Sequence, residues 1–224
     1  MRSKEERTLE KIDIIFLESS LETIPKEIKG SSKKTKTYNE ILDINIHYKN
    51  MLKLRDFSKR GRPDIIHYSL LNILEKPFVT NGYVNVYMHV YDDRVYKFNN
   101  NIRIPKNYDR FKGLMAQLLK YNKVPPESED PLIFLVSKNL NEFVKNRKIL
   151  LLSENGEDFN VEGVINIAIK EGLTIGIGAF AHGDFKQEID KIAYKKARLY
   201  KGLKLKAWDI TCAISSKLME MGIF

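Results

Sequence analysis

The stretch that decides the fold is LIFLVSKNLNEFVKNRKILLLSENGEDFNVEGVINIAIKEGLTIGIG, residues 132–178. Short apolar, β-branched runs alternate with segments of helical spacing: LIFLV (132–136), NLNEFVK (139–145), KILLLSE (148–154), VEGVINIAIK (161–170) and LTIGIG (173–178). Strands that are apolar along their whole length, with helices between them, belong to a parallel sheet covered on both faces. The fold class is therefore α/β, a parallel sheet flanked by helices.

Toward the C-terminus, KAWDITCAISSKLMEM (206–221) reads as a closing helix with Cys212 on its apolar side, in the core. Toward the N-terminus, IDIIFLES (12–19) reads as a buried strand, and LETIPKEI (21–28) as a short turn-rich or helical piece. GSSKKTKT (30–37) reads as an exposed loop, while residues 38–57 show no clear period. PDIIHYSLLNILE (63–75) has proline at a first helical position and an acid in the first turn, so a helix is expected. GYVNVYMHV (82–90), a turn at Asp92-Asp93 and VYKF (95–98) make a hairpin. NYDRFKGLMAQLLKY (107–121) is helical, with Phe111, Leu114, Met115, Leu118 and Leu119 along one face. The chain reads as one domain over residues 1–224, with a β-hairpin insertion at about 83–106.

Composition narrows the function. The chain has 224 residues, of which 43% are hydrophobic and 30% charged, so a packed core is expected rather than a disordered chain. No apolar run approaches the ~20 residues a membrane helix needs. The opening MRSKEERTLEK has no apolar leader. These features predict a soluble intracellular protein, cytoplasmic, or nucleolar in a eukaryotic source. Cys212 is the only cysteine, which excludes an intramolecular disulfide and a multi-cysteine zinc site; the four scattered histidines point to no metal site.

Lys and Arg number 38 against 29 Asp and Glu, a formal net charge of +9. Two segments carry it. Residues 94–123 hold eight basic residues and one acid, residues 186–206 hold eight and two, and the rest of the chain is net negative. Such concentration is the footprint of a polyanion binder, or of a solvated lysine-rich face.

Four segments have chemistry-bearing patterns, the first three each with a plain structural alternative. In LTIGIGAFAHGDF (173–185) a strand ends in Gly176, Gly178 and Gly183, a ligand-approach loop or a tight turn. Its spacing is neither the dinucleotide fingerprint nor a phosphate-binding P-loop. In SKRGRPDIIH (58–67), Arg60 and Arg62 precede a helix start, a phosphate site, or an arginine paired with a capping Asp64. In NIRIPKNYDRF (101–111), Arg103, Lys106 and Arg110 surround Tyr108 and Phe111; they form one phosphate path or are merely solvated. RLYKGLKLKAWDIT (198–211) feeds a strand or loop into the last helix through Gly202. No Ser-His-Asp order or carboxylate pair suggests a hydrolase.

SKRGRPDIIHYSLLNIL, IRIPKNYDRFKGLM, IGAFAHGDF and LKAWDIT, in that order and after LESSLETIPKEI, give a chain that resembles the archaeal and eukaryotic ribosome-biogenesis methyltransferases of the SPOUT superfamily. The resemblance covers nearly the whole chain. Members methylate N1 of a pseudouridine in small-subunit ribosomal RNA. It implies a SPOUT-type α/β fold with a C-terminal trefoil knot, a homodimer, and S-adenosylmethionine as cofactor. The implied cofactor loops are Val136–Ser137, Gly176–Gly183 with Gly178 between, and Leu199, Tyr200, Lys201, Gly202, Leu203 and Lys204. Arg62 is implied to contact RNA, with Asp64 orienting it and having an indirect proton role. Arg103, Lys106 and Arg110 are implied to follow the RNA backbone. Implied partners are small-subunit ribosomal RNA, a second copy of the chain, and ribosomal proteins or assembly factors. Lys106, Lys204 and Lys206 depart from the arginine, proline and serine usual at these places. Two other readings remain: a non-catalytic rRNA-binding assembly factor, and a knotted methyltransferase of transfer RNA or of an unmodified base.

Overall fold

The computed structural model describes residues 11–28 and 41–224. The loop expected at 30–37 lies outside them. The elements run β1 (Ile12–Ser19), α1 (Ile44–Met51), α2 (Pro63–Ile73), α3 (Pro77–Thr80), β2 (Val84–Val90), β3 (Val95–Phe98), α4 (Tyr108–Tyr121), β4 (Lys123–Val124), β5 (Ile133–Ser137), α5 (Leu140–Val144), β6 (Lys148–Phe159), α6 (Val161–Glu171), β7 (Leu173–Gly178), α7 (Gln187–Ile192), β8 (Ala193–Leu199) and α8 (Ala207–Glu220).

Local chemistry starts and stops the helices. The side chains of Asn107, Asn139 and Asn160 each accept a first-turn backbone N–H, from Arg110, Glu142 and Gly163. Such a cap satisfies donors that the helix itself leaves unpaired. Gly172, at φ +62°, turns the chain from α6 directly into β7, a left-handed position that glycine occupies without a Cβ penalty.

Among the described residues one sheet of eight strands has the order β4-β5-β3-β2-β1-β7-β6-β8. Pairs β1–β2, β1–β7, β6–β7 and β6–β8 are parallel; β2–β3, β3–β5 and β4–β5 are antiparallel. Of the strands read from 132–178, β6 and β7 lie in the parallel part β1-β7-β6-β8, whereas β5, expected to be parallel too, is antiparallel to both β3 and β4. Alternation along β1 shows both faces: Ile14 and Phe16 pack among α2, α4, α6 and α8, whereas Ile15 and Leu17 pack with Phe143 of α5 and Ile189 of α7. All four are fully buried, each worth about 1.5–3 kcal/mol of transfer free energy.

Three features differ from the pattern-based reading. The hairpin at 83–106 supplies β2 and β3, whose ladders continue the one sheet on both sides. Residues without a clear period contain α1, started by Asp43 and burying only His47 and Met51. Cys212 is exposed rather than core. The buried stripe of α8 is Ala207, Thr211, Ile214, Ser215 and Leu218, and Cys212 sits one residue, about 100°, off it.

Candidate active site

The middle of β6 and the carboxyl ends of β7 and β8 open into a cleft of about 560 Å³. Ligands of open α/β sheets bind at such strand ends. Leu152–Glu154 line it from β6, Gly178 from the end of β7, Phe180–Phe185 from the loop that follows, Leu199 from β8, and 203–208 from the chain entering α8. Arg62, at the mouth of α2, forms a further wall.

Gly178 is at the floor. A Cβ there would lie 2.8 Å from Phe185 Cζ and 3.0 Å from Phe180 Cε1. Gly183 takes φ +87°, which favours glycine. After Leu199, Tyr200 and Lys201 both take left-handed φ, 55° and 45°. Strained backbone of this kind clusters where a loop's shape is functional.

Arg62 is held by Asp64. Its Nε and Nη2 donate to Asp64 Oδ1 and Oδ2 at 2.8 and 2.7 Å. Both carboxylate oxygens are engaged this way, so Asp64 supplies no side-chain cap to α2. The Asp64 bond, partly opposed by burial, holds the guanidinium above its usual pKa. The Arg62 side chain remains 28% exposed, a fixed cation facing the cleft. Arg60, two residues earlier, is not available there. It is buried, forks onto Glu22 at 2.7 and 2.5 Å, and stacks on Tyr91.

The basic segment beside it is pinned from below. Ile102 and Ile104 are buried, which turns Arg103 outward. Pro105 O accepts a hydrogen bond from His67 Nε2 at 2.8 Å, so that nitrogen carries the proton. Burial holds His67 below its ordinary pKa, and its ring stacks on Phe111 at 4.3 Å. Asp43 Oδ2 accepts from Lys112 Nζ at 2.8 Å and Tyr108 Oη at 3.0 Å. Burial and this carboxylate hold the Tyr108 phenol above its usual range. Arg103, Lys106 and Arg110 are all exposed, and no side-chain ion pair engages them within the described residues.

The second basic segment differs. Lys195, Lys196 and Arg198 pair with Glu171, Asp190 and Asp158 at 2.6, 2.6 and 2.8 Å. Solvent-facing pairs of this kind add little to stability; Asp190 belongs to the segment itself, so Glu171 and Asp158 lower its excess by two charges. Lys204 and Lys206 remain on the cleft wall.

Of the residues singled out by sequence, the cleft brings together Arg62, Gly178, Gly183, Leu199, Leu203 and Lys204. Gly176 does not line it; a Cβ there would meet Leu17 Cδ1 at 2.9 Å and Ile149 Cγ2 at 3.0 Å inside the sheet. Tyr200 and Lys201 line a separate cavity of about 450 Å³ beside α6, and Gly202 closes the 3-10 turn after them. Val136 and Ser137 end β5, which β3, β2 and β1 separate from β7. Ser137 Oγ there donates to Asn139 O at 2.8 Å, at the start of α5. The β6 residues that face the cleft, Leu152–Glu154, lie mid-strand, just where the ladder with β7 ends. Phe180, within the implied Gly176–Gly183 loop, lines it too, and so does Trp208, which was not singled out; the signal for Trp208 was its place just after the basic run.

Comparison with known proteins bears on this arrangement. The family model described as EMG1/NEP1 methyltransferase matches residues 14–219. The chain is 42% identical over 202 residues to the ribosomal RNA small subunit methyltransferase Nep1 of Staphylothermus marinus, covering 85% of this chain and 88% of the relative. It is 39% identical over 213 residues to the protein of the same name from Saccharolobus solfataricus, covering 92% and 95%. Among solved structures, it is similar to Archaeoglobus fulgidus Nep1 bound to S-adenosylhomocysteine, with a TM-score of 0.81, 28% identity, and coverage of 96% of this chain and 100% of that one.

Proposed function

The chain belongs to the EMG1/NEP1 methyltransferase family, and from that premise we propose that its cleft binds S-adenosylmethionine and methylates N1 of a pseudouridine in small-subunit ribosomal RNA. Transfer of a methyl group to that RNA is the activity named for its relatives. S-adenosylhomocysteine, bound in the similar structure, is the demethylated product of the cofactor.

The residues present fit this cofactor. A volume of about 560 Å³ lies within the ~300–1,000 Å³ of small-molecule sites. Leu152, Leu199 and Leu203 offer apolar contact to a nucleoside, and the carboxylates of Glu154 and Asp184 suit a positively charged ligand. When bound, the cofactor supplies an electrophilic methyl group on a sulfonium. The protein's part is alignment and exclusion of water. No covalent nucleophile is required, and Cys212 does not line the cleft.

The observation that carries the proposal is the Asp64-locked Arg62 guanidinium on the wall of the same cleft as Gly178. A forked arginine fixed before RNA arrives binds a phosphate with little reorganisation. Arg103, Lys106 and Arg110 extend the charge along the backbone, and the target base leaves its stack to enter the cleft. The proton on pseudouridine N1 departs on transfer. Since Arg62 occupies both oxygens of Asp64, Asp64 acts through orientation, and any proton role is indirect. The homodimer, the knot formed where 199–206 returns into α8, and a cytoplasmic location belong to the same reading.

The test is labelled methyl transfer to two RNA hairpins differing only in a loop pseudouridine or uridine. Uridine N1 is bonded to its sugar, so only the pseudouridine hairpin is expected to be labelled. Labelling of both overturns the choice of atom. Labelling of neither, with tight RNA binding, supports the assembly-factor reading instead.

Two further outcomes follow. Lys106→Ala is expected to weaken RNA binding and lower the salt slope by about one unit, one phosphate contact; titrations across salt concentrations measure it. Gly178→Ala pushes Phe180 and Phe185 into the cleft and is expected to weaken S-adenosylhomocysteine binding with little change in melting. Gly176→Ala overpacks the sheet against Leu17 and Ile149 and is expected to lower stability by about 1–3 kcal/mol while ligand affinity holds. Calorimetry and thermal melts separate the two glycines.

A further inference from the structure

The cleft loop after β7 forms no helix or strand between Ala179 and Lys186. Backbone bonds outside regular elements fix only its two ends: Ala179 N–H donates to Leu17 O at 2.9 Å and Ser20 N–H to Ala179 O at 3.0 Å, while Lys186 O accepts from Ile189 and Asp190 N–H at 3.0 and 3.1 Å. Between those ends the loop is tied by side chains from elsewhere.

Lys59 makes three of these contacts at once. It ends the 3-10 turn Phe57–Lys59, three residues before Arg62. Its Nζ donates to Asp184 O, donates to Glu18 Oε2 at 3.3 Å, and lies 4.2 Å from the centroid of Phe180. Its Cε is 3.5 Å from the place a Cβ would take on Gly183. Glu18 Oε2 also accepts the backbone N–H of Lys186 at 3.1 Å, and Lys186 Nζ is 3.9 Å from Oε1. One buried carboxylate and one ammonium thus hold both ends of the loop.

Glu18 is itself over-determined. It ends the regular ladder of β1 in a left-handed conformation, φ 48°, where the register with β2 shifts between Phe16 and Ser19. Its N–H donates to His89 Nδ1 at 3.1 Å. Its side chain is 6% exposed and that of Lys59 18%. A non-glycine residue in this conformation persists only where its surroundings enforce it. Ser20 Oγ, donating to Lys59 O at 2.5 Å, fixes the lysine from its backbone side.

We propose that Lys59, anchored by Glu18, is a positioning residue for the cofactor: it keeps loop 180–186 in the shape that forms the cleft wall. The proposal rests on reading that cleft as the cofactor site. Without the ammonium the loop samples other conformations. The cofactor then binds only the fraction that is correctly shaped, which lowers apparent affinity by that fraction. Once cofactor is bound the wall is re-formed, so the transfer step itself is little affected.

The experiment compares wild type with Lys59→Met, Lys59→Arg and Glu18→Gln. S-adenosylhomocysteine binding is measured by calorimetry, and hydrogen exchange is followed at residues 180–186. KM for S-adenosylmethionine and kcat on the pseudouridine hairpin complete the set. Lys59→Met is expected to weaken S-adenosylhomocysteine binding about tenfold, the factor equivalent to ~1.4 kcal/mol. It is expected to raise the cofactor KM in parallel, speed exchange in the loop, and leave kcat at saturating cofactor within about twofold on the same scale. Lys59→Arg restores most of the affinity, because it retains a cation that reaches Glu18. Glu18→Gln, a smaller perturbation of the same clamp, gives an intermediate loss and serves if the methionine variant does not fold. Unchanged affinity in folded Lys59→Met or Glu18→Gln overturns the proposal, as does a fall in kcat with KM unchanged. Failure of wild type to bind S-adenosylhomocysteine overturns the cofactor reading instead.

Discussion

Arg62→Ala is expected to lower kcat/KM for RNA by roughly 10- to 150-fold, the range for loss of a charge-assisted bond worth about 1.5–3 kcal/mol. S-adenosylhomocysteine affinity changes far less, since the cleft's apolar walls and the glycine floor are untouched. The asymmetry is the informative part. Equal losses for RNA and cofactor would make Arg62 a cofactor residue and remove it from the RNA path. Arg62→Lys is expected to rescue little: an ammonium keeps the charge but loses the two-pronged geometry that matches Asp64 on one side and a phosphate on the other. Asp64→Asn tests the partner. The amide retains one acceptor for the 2.8 Å bond from Nε but no longer accepts both donors. RNA turnover is expected to fall by an intermediate amount. Undiminished turnover in Asp64→Asn would eliminate a proton role and show that the fork is not needed to aim Arg62.

The sequence patterns disclosed what depends on period and local chemistry. The strands at 12–19, 84–90 and 173–178 and the helices at 63 and 108 follow from apolar spacing, proline and asparagine caps, all within a few residues of their effect. The order of strands does not follow from such signals. LIFLV and KILLLSE are alike as apolar runs, yet β5 lies at the antiparallel end of the sheet and β6 beside β7. Period alone therefore does not show that Leu152–Glu154 line the cleft while Val136–Ser137 lie away from it. The same limit applies to Arg60 and Arg62. They are the same residue type two positions apart, and only the fold brings Glu22, 38 residues away, onto the first of them. Residues 38–57 were illegible because α1 buries just His47 and Met51, too sparse a stripe to mark a helix.

That illegible stretch supplies the residue with the largest expected effect on stability. Asp43 is 1% exposed. It caps α1 through Asn45 N–H at 3.0 Å and accepts both Lys112 Nζ and Tyr108 Oη. Burial disfavours the Lys112 charge, but Asp43 outweighs it and holds that ammonium above its usual pKa. Removing the carboxylate therefore strands a cation whose side chain is only 7% exposed. Breaking a buried pair from one side costs about 3–5 kcal/mol. Asp109 remains 3.2 Å from Lys112 on the solvent side, so Asp43→Ala is expected near the lower end, about 3 kcal/mol, or roughly 6–12 °C in melting temperature for a chain of this size. Tyr108→Phe, which removes one neutral donor, is expected to lose only about 1 kcal/mol. The two variants separate stability from function. Tyr108 and Lys112 sit on the first turns of α4, directly after Arg103 and Lys106, so slackening here disperses the cations before it disturbs the cleft. Asp43→Ala at a temperature where it stays folded is expected to lose RNA affinity while binding S-adenosylhomocysteine normally. The double variant Asp43→Ala/Lys112→Met, which removes the stranded charge, is expected to recover part of the lost stability. Additive losses in that cycle would mean that the pair is not coupled, and that the penalty of Asp43→Ala comes from the α1 cap and the Tyr108 hydrogen bond.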